Sequence, residues 1–257
     1  MLKKYSSTNF KFALEKSGVK DGDTLFIHSN IGLFGMPENC NNKNEACELI
    51  LNSIFSVIGS KGTIVVPTYT YSFSKNEIFN YKQKSVCGIF SEFVRNHAIS
   101  ERTIDPMFSI SALGYNSKSL TVDISNNSFD QNSFFSRFHQ INGKICNFNL
   151  NAGSTFVHYL ERILEVDYRF DKEFSGVIIY KESRYNKKWI TWVRNLNNLS
   201  TSPNFHQLTS EALNKNLFKK INVGNGYLGT ISADDKFNLI KKKLPDCPYF
   251  LTEKGCI

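Results

Sequence analysis

The spacing of hydrophobic residues along the chain alternates between a helical period and the short apolar runs of strands. The clearest helix covers residues 44–58, where apolar residues at positions 46, 49, 50, 54, 57 and 58 share one face and Gly59 provides the stop. The same period predicts helices over residues 9–17, 89–96, 133–140, 155–164, 212–218 and 234–243. Apolar runs predict strands over residues 24–27, 62–67, 109–113 and 144–150, and a hairpin of residues 176–180 with 189–193.

This order of helices and strands is typical of α/β proteins. We therefore expect a layered α/β/α sandwich around a central mixed sheet. The chain shows neither an internal repeat nor a linker, which predicts a single domain over residues 1–257. Residues 195–206 are polar and irregular.

Composition and charge narrow the class of protein. The chain is 41% hydrophobic and 21% charged, which is ordinary for a globular protein. No apolar run approaches the roughly 18 residues of a membrane span, and the basic N-terminal segment lacks an apolar signal core, so we expect a cytoplasmic protein without a membrane partner. The net charge of +8 is diffuse and accompanies no nucleic-acid motif, which favours an anionic small molecule over a nucleic acid as partner.

Cysteine and histidine positions argue against a metal site. The six cysteines form no CxxC pair, and without a signal segment we interpret all of them as reduced thiols. The five histidines never stand at HxH or HxxxH spacing, so no metal is expected.

The sharpest candidate for chemistry is a histidine with a carboxylate one helical turn later. His158 and Glu161 are three residues apart in the predicted helix and so share a face. A carboxylate beside an imidazole fixes its orientation and stabilises its protonated form, as a general base requires. The alternative is a structural hydrogen bond. A serine hydrolase is disfavoured because the chain has no GxSxG motif.

Two loops could contact an anion. The first follows the strand that ends near His28 and contains Gly32 and Gly35, which free its backbone N–H groups to face a ligand. The second runs from Arg102 to Ser109, where arginine and serine could hold a phosphate. The alternatives are a plain strand-to-helix loop and a surface turn with a salt bridge.

Five collinear motifs within residues 8–175 resemble the antibiotic N-acetyltransferases, the family that includes the aminoglycoside 3-N-acetyltransferases. They are DTLFIHS (23–29), GTIVVPTYT (62–70), EFVR (92–95), residues 102–109 leading to ALG (112–114), and TFVHYLE (155–161). The segment YRFDK (168–172) adds a basic and aromatic stretch similar to that of the family.

The resemblance implies a layered α/β fold unlike that of the commoner GNAT acetyltransferases, and acetyl-CoA as co-substrate. It implies His158 as catalytic base, assisted by Glu161. It also implies that the coenzyme is bound by His28, Ser29, Asn30, Ile31, Gly32, Gly35, Thr68, Arg102 and Ser109, and the acceptor by Tyr69, Thr155, Tyr168 and Arg169.

The chain departs from the family pattern in two places. The strand before the catalytic helix usually ends in Leu-Gly but here reads FNLN (148–151). Residues after about 175 match no recognised pattern, and we expect them to shape the acceptor site. Aromatic residues in this part and just before it could stack a base or a sugar, namely Tyr168, Phe170, Tyr185, Trp189 and Trp192.

Charge favours one class of acceptor over another. Aminoglycosides are polycations that need clustered carboxylates, whereas this chain carries 31 basic and 23 acidic residues. We therefore expect the acetyl acceptor to be the amine of a nucleotide-linked amino sugar, as used for surface polysaccharide such as the O-antigen of lipopolysaccharide. The alternatives are an aminoglycoside 3-N-acetyltransferase of antibiotic resistance and a catalytically silent CoA- or nucleotide-binding protein. The sequence leaves the oligomeric state open, a homodimer included.

Overall fold

The computed structural model describes residues 4–256; residues 1–3, with which the basic N-terminal segment begins, and residue 257 lie outside it. This part has eight α-helices: α1 (Ser7–Ser17), α2 (Lys43–Ile58), α3 (Ile89–Arg95), α4 (Ser117–Thr121), α5 (Phe134–Gln140), α6 (Phe156–Ile163), α7 (His206–Asn214) and α8 (Ala233–Lys243). It has ten strands: β1 (Thr24–Ser29), β2 (Thr63–Pro67), β3 (Phe79–Asn80), β4 (Glu101–Arg102), β5 (Ile110–Gly114), β6 (Lys144–Phe148), β7 (Arg169–Tyr180), β8 (Ser183–Arg194), β9 (Lys219–Val223) and β10 (Gly226–Ser232).

Seven strands form a central mixed sheet in the order β4-β5-β2-β1-β6-β10-β9. Its middle is parallel, since β1 pairs with both β2 and β6 in the same direction. The flanking strands β5 and β10 run antiparallel to their neighbours. A second sheet, β3-β7-β8, is built on the long antiparallel hairpin of β7 and β8. The predicted mixed sheet is therefore confirmed.

Alternating side chains of the central strands fill two separate cores. In β1, Phe26 belongs to the core on the face covered by α5, α6 and α8, whereas Leu25 and Ile27 belong to the core under α1 and α2. In β2, Val65 and Val66 divide in the same way. A strand covered on both faces shows a continuous apolar run instead of alternation, which is why residues 24–27 and 62–67 are recognisable in the sequence.

The parallel strands bring three loops to one edge of the sheet. Strands β1, β2 and β6 run in the same direction, so the loops that follow them start at their shared carboxyl edge. These loops are residues 30–35, 68–72 and 149–155. In open α/β sheets, this edge is where ligands bind.

Most predicted elements are present within one or two residues of the expected bounds, and Gly18 and Gly59 do end α1 and α2 with positive φ. The helix expected over residues 212–218 is wrong. Helix α7 ends at Asn214, and the chain then turns at Asn216, with φ of 55°, into β9. Strands β9 and β10 were not predicted, because their polar sequence around Gly224 and Gly226 resembles a loop. The predicted hairpin is present, but its pairing differs: residues 176–180 pair with residues 183–187, and residues 189–193 pair with residues 170–174. Both strands are longer than expected, because polar residues continue them.

The prediction that all six cysteines are free thiols is wrong for two of them. Cys247 and Cys256 form a disulfide, with Cα atoms 5.0 Å apart. They are nine positions apart in the sequence, and the chain between them turns back through the Phe250–Cys247 and Gly255–Thr252 backbone hydrogen bonds. This turn brings the two side chains to bonding distance. Because the two cysteines do not stand at CxxC spacing, the sequence pattern does not reveal the bond. Cys40, Cys47, Cys87 and Cys146 are free.

A buried lysine joins α8 to the loop before α6. Lys236 is fully buried, and its Nζ donates a hydrogen bond to Ser154 Oγ at 2.8 Å. Burial lowers the pKa of Lys236 to about 7. Asn147 reinforces the same loop, because its Nδ2 donates to the carbonyl of Gly153 at 2.7 Å. The turn into α6 is therefore fixed by side chains from β6 and α8.

None of the helices within residues 4–256 is both long and apolar enough to cross a membrane. The same residues contain no group of three or more His, Cys, Asp or Glu side chains arranged to hold a metal ion.

Replacing Lys236 with methionine should remove a pH-dependent contribution to stability. The folded pKa of about 7 lies below the ordinary 10.5. Between these values the unfolded chain binds a proton that the folded chain does not, so the free energy of unfolding rises with pH, by at most about 1.4 kcal/mol per unit. Below pH 7 Lys236 is protonated in both the folded and the unfolded chain, so the full free-energy cost of burying its charge is present. Urea unfolding of wild type and Lys236→Met at pH 7, 8 and 9 measures the difference.

The matched control for that experiment is Lys241→Met, an exposed lysine on the same helix. This variant should keep the pH dependence of the wild type. Equal pH dependence in wild type and Lys236→Met would show that Lys236 stays charged in the folded protein.

Candidate active site

His158 and Glu161 meet on α6 as their spacing predicts. Nδ1 of His158 lies 2.7 Å from Oε2 of Glu161. A carboxylate only accepts hydrogen bonds, so Nδ1 carries the proton and Nε2 of the neutral ring is left as the free base. The imidazole is not sealed in the core, because 16% of the His158 side chain is exposed and the ring lines a cleft.

Glu161 is a buried carboxylate with three partners. Its side chain is 1% exposed. Besides His158, it accepts a hydrogen bond from the Tyr168 hydroxyl at 2.8 Å and pairs with Arg169, whose Nε lies 2.7 Å from Oε2. Tyr168 and Arg169 stand at the entrance to β7, so the turn from α6 into the long hairpin carries both of them to the carboxylate.

These contacts decide the protonation of the pair. Burial alone would raise the pKa of Glu161, but His158, Arg169 and Tyr168 together hold it below its ordinary value. Burial and the Arg169 charge lower the pKa of His158, and Glu161 opposes them. The site therefore presents an ionised Glu161 and a neutral imidazole, which is the state required to accept a proton.

His158 lines a cleft of about 880 Å³. Its walls come from the loop after β2, the segment before β5, the β7-β8 hairpin and the polar residues after β8. The lining residues are Tyr71, Ser74, Met107, Phe108, His158, Arg169, Phe170, Lys172, Phe174, Trp192, Val193, Arg194, Asn195, Leu196, Asn197 and Pro203.

The charge of this cleft is positive. Its basic residues are Arg169, Lys172 and Arg194, and among the described residues no aspartate or glutamate lines it. The charge of Arg169 is compensated by the buried Glu161, with which it forms an ion pair. Lys172 and Arg194 make no ion pair within residues 4–256, and the guanidinium of Arg194 only donates to the carbonyls of Asn195 and Asn198 at 3.3 Å. Two uncompensated cations therefore face the cleft.

Tyr71 is held in a backbone conformation that is uncommon for a large residue. It has φ of 56°, and its ring packs against Phe108 with centroids 5.4 Å apart. The neighbouring backbone fixes this conformation, because the amide of Ser72 donates to the carbonyl of Pro106 at 2.8 Å. Strained residues that the surroundings hold in place are typical of ligand sites, and Tyr71 lies on the cleft wall.

A second cavity, of about 420 Å³, lies beside the loop after β1. Five residues predicted to bind the coenzyme line it together: Ser29, Asn30, Ile31, Gly32 and Gly35. The remaining lining is mostly apolar, with Tyr5 at one side, and Lys43 at the start of α2 supplies a positive charge. Lys43 is not among the residues predicted from the sequence, because it precedes the amphipathic part of its helix.

The other predicted coenzyme ligands lie in the protein interior instead. Arg102 is 5% exposed, and its terminal nitrogens donate to the carbonyls of Tyr81, Gln83 and Thr68 and to Ser109 Oγ, at 2.6–3.0 Å. Thr68 and Ser109 are fully buried beside it. Arg102 thus joins the loops around β2 and β5, and a role in holding phosphate stays a prediction that this geometry does not support.

His28 also points into the interior. Both of its ring nitrogens are buried without a hydrogen-bond partner among the described residues, and the ring packs on Phe26 with centroids 4.3 Å apart. Burial and the Lys236 charge lower the pKa of His28 to about 3. A neutral, enclosed imidazole offers no charge to a coenzyme, so the prediction for His28 gains no support either.

Of the predicted acceptor ligands, Arg169 alone lines the cleft. Tyr168 lies behind it against Glu161. Tyr69 is buried behind Phe108, and Thr155 occupies the N-cap position of α6. Among the other aromatic candidates, Phe170 and Trp192 line the cleft, whereas Trp189 is core and donates its indole N–H to Ser128.

Comparison with known proteins places the chain. Residues 26–245 match the family model described as aminoglycoside 3-N-acetyltransferase. A search of curated protein sequences gives no match.

Solved structures with the same fold are distant in sequence. AAC-VIa bound to sisomicin is 17% identical with a TM-score of 0.79, over 94% of this chain and 98% of that one. AAC-IIIb with CoASH is 14% identical with a TM-score of 0.79, over 93% and 96%. The YokD protein from Bacillus subtilis is 15% identical with a TM-score of 0.74, over 92% and 98%. At these identities the structures establish the shared fold, whereas the family match covers most of the sequence. The chain therefore belongs to the aminoglycoside 3-N-acetyltransferase family and is an N-acetyltransferase.

Proposed function

We propose that this protein transfers the acetyl group of acetyl-CoA directly to the amine of a nucleotide-linked amino sugar, with His158 as general base. The observation that carries the proposal is the His158–Glu161 pair, 2.7 Å apart, at the wall of a cleft with two uncompensated cations and no carboxylate among its described lining residues. We place the reaction in the cytoplasm and in the assembly of surface polysaccharide.

The chemistry follows from the state of the pair. Nε2 of His158 takes a proton from the acceptor amine as the nitrogen attacks the thioester carbonyl carbon. Glu161 stabilises the imidazolium that forms, and Arg169 and Tyr168 keep Glu161 ionised and in place. The C–S bond then breaks, and the coenzyme leaves as the thiol after it takes the proton from His158.

The cavity beside residues 29–35 is the proposed coenzyme site. The structure of AAC-IIIb with CoASH, which has the same fold, supports acetyl-CoA as the donor. Gly32 leaves room at the cavity, because a Cβ added to it would meet only Asn30 Oδ1 at 3.7 Å. Lys43 lies where it could pair with a coenzyme phosphate.

The basic cleft is the proposed acceptor site, built largely by residues after 168. The pyrophosphate of a nucleotide sugar would interact favourably with Lys172 and Arg194, and Phe170 and Trp192 offer faces for a base or sugar. The carboxylates closest to the cleft in sequence already form ion pairs with residues that do not line it. Asp171 pairs with Arg162 at 2.8 Å, and Glu173 pairs with Lys188 at 2.8 Å.

An aminoglycoside is the second candidate acceptor. It is favoured by the family match and by the similar fold of AAC-VIa, which is solved with sisomicin. A polycation would need carboxylates in the cleft to offset the repulsion from Lys172 and Arg194. The two candidates therefore predict opposite responses to charge reversal.

Removing the base should slow the chemical step without weakening coenzyme binding. His158→Ala and Glu161→Gln should each lower kcat by about 100-fold or more, because the first removes the proton acceptor and the second its stabilising charge. Stopped-flow detection of CoA thiol release measures kcat, and calorimetry with CoA measures binding. A His158→Ala enzyme with undiminished kcat would remove His158 from the mechanism.

Lys43→Glu should raise the KM for acetyl-CoA by about three- to tenfold, with kcat nearly unchanged. The reason is that a reversed charge at the cavity repels the coenzyme phosphates. The matched control is Lys16→Glu, a lysine on α1 that does not line this cavity. An unchanged KM would place the coenzyme phosphates elsewhere.

Reversing the cleft charges distinguishes the two acceptors. Lys172→Glu combined with Arg194→Glu should lower kcat/KM for nucleotide-linked amino sugars by about 100-fold and raise it for aminoglycosides. Thiol release with panels of both acceptors measures the ratio. Arg184→Glu is the control, because this exposed residue of the same hairpin lies outside the cleft and forms no ion pair within residues 4–256. Loss of aminoglycoside turnover in the double variant would contradict the charge argument.

A further inference from the structure

The disulfide closes a segment that packs against Tyr168, a hydrogen-bond partner of Glu161. We call residues 247–256 the C-terminal loop. Its central residues Phe250, Leu251 and Thr252 are at most 3% exposed, so the loop is part of the folded body of the protein. Cys247 is 5% exposed, whereas Cys256 is exposed at the surface. Of the two bonded cysteines, Cys256 is therefore the one that lies at the surface.

An aromatic contact joins this loop to the active site. The ring of Tyr249 stacks on that of Tyr168, with centroids 5.5 Å apart and planes inclined by 28°. Lys254, from the same loop, places its Nζ over the Tyr249 ring at 3.8 Å. Tyr168 in turn donates to Glu161, which holds His158. A single side chain, that of Tyr168, thus lies between the loop and Glu161.

The same loop supports one wall of the cleft. The amide of Glu253 donates to the carbonyl of Ser202 at 2.8 Å, and Lys254 donates to Ser200 at 2.9 Å. Thr252 forms an antiparallel bridge with Pro203, which lines the cleft. A change in the loop would therefore reach both the catalytic pair and the acceptor wall.

We propose that the disulfide-closed C-terminal loop is a redox-sensitive positioning element for catalysis, with Tyr249 as its positioning residue. While the bond is intact, Tyr249 holds Tyr168 against Glu161. When the bond opens, this support is lost and turnover falls. The inference rests on the proposed function of His158 and Glu161. It also fits the cytoplasm proposed for this protein, because disulfides in a compartment rich in reducing thiols are usually transient and redox-sensing.

The opening step is a thiol–disulfide exchange with a dithiol reductant. A thiolate of the reductant attacks Sγ of the exposed Cys256, the Cys247–Cys256 bond breaks, and a mixed disulfide forms. The second thiol of the reductant resolves it. The protein gains two electrons and two protons as two thiols, and the dithiol is oxidised to its disulfide.

The test compares oxidised and reduced wild-type protein by two readouts. The first is kcat with acetyl-CoA and the acceptor, which should fall by about tenfold or more on reduction with dithiothreitol, while the KM for acetyl-CoA stays the same. The second is the NMR signal of the His158 Nδ1 proton, which the bond to Glu161 protects from exchange with water. This signal should broaden or disappear on reduction. Peptide mapping without reductant checks the bond, and its absence would overturn the proposal.

If reduction unfolds the protein, single substitutions made with the disulfide intact still test the proposal. Tyr249→Leu, with the disulfide intact, should reproduce the loss of kcat and of the His158 signal. Tyr115→Leu is the matched control, because this tyrosine is 72% exposed and remote from the loop. Tyr168→Phe should lower kcat, and reduction should then have little further effect, because both changes act through one contact.

An unchanged His158 signal and kcat in Tyr249→Leu would overturn the proposal. The NMR readout needs no substrate, so it separates this failure from failure of the proposed function. If no acceptor is acetylated by the oxidised protein but the signal still responds to reduction, the positioning inference stands while the assignment of the reaction fails.

Discussion

The active site depends on keeping one buried carboxylate ionised. Glu161 lies almost entirely out of water, where a lone charge would be unfavourable by several kcal/mol. Three partners offset that penalty: an imidazole on the same helix, and a hydroxyl and a guanidinium from the start of β7. These partners come from α6 and from the start of β7. Both elements, and the parts of the core that hold them in place, must therefore be folded before the histidine is correctly oriented.

The sheet explains why chemistry gathers where it does. Parallel pairing of β1 with β2 and β6 sends three loops to the same edge. One of them lines the smaller cavity, and another leads into α6, which carries His158 and Glu161. The scaffold is shared with distant acetyltransferases of known structure, whereas the charges of the cleft come from the hairpin and the segment after it. The shared fold and the charges of the cleft thus come from different parts of the chain.

Much of this arrangement could be predicted from local patterns. Apolar runs gave the parallel strands, because strands buried on both faces leave an uninterrupted signal. The spacing of His158 and Glu161 was enough to predict their contact, since three residues span one helical turn. Tyr168 and Arg169 were expected to contact the acceptor. Both contact Glu161, and only Arg169 also lines the cleft, because nothing in their spacing reveals which way the start of a strand faces.

Other features could not be predicted because they depend on long-range contacts. Arg102 looked like a phosphate ligand, yet the carbonyls that it binds come from residues 68, 81 and 83. Strand β9 is a mostly exposed edge strand, and the turn that joins it to β10 contains Gly224 and Gly226, so the pattern of this segment resembles a loop. The burial of Lys236 leaves no signal in the sequence, because only the packing of α8 against the loop before α6 buries this residue.

The C-terminal loop contributes to the core without extending either sheet. Every strand within residues 4–256 lies before residue 233, whereas Phe250 and Leu251 of the loop pack in the core on one face of the central sheet. The loop therefore acts through side chains and turns alone: the ring of Tyr249 lies against Tyr168, and Thr252 forms a bridge with Pro203. Strand pairing and the support of these two residues are thus separable, so sequence changes in the loop can alter the surroundings of Glu161 without altering the order of the strands.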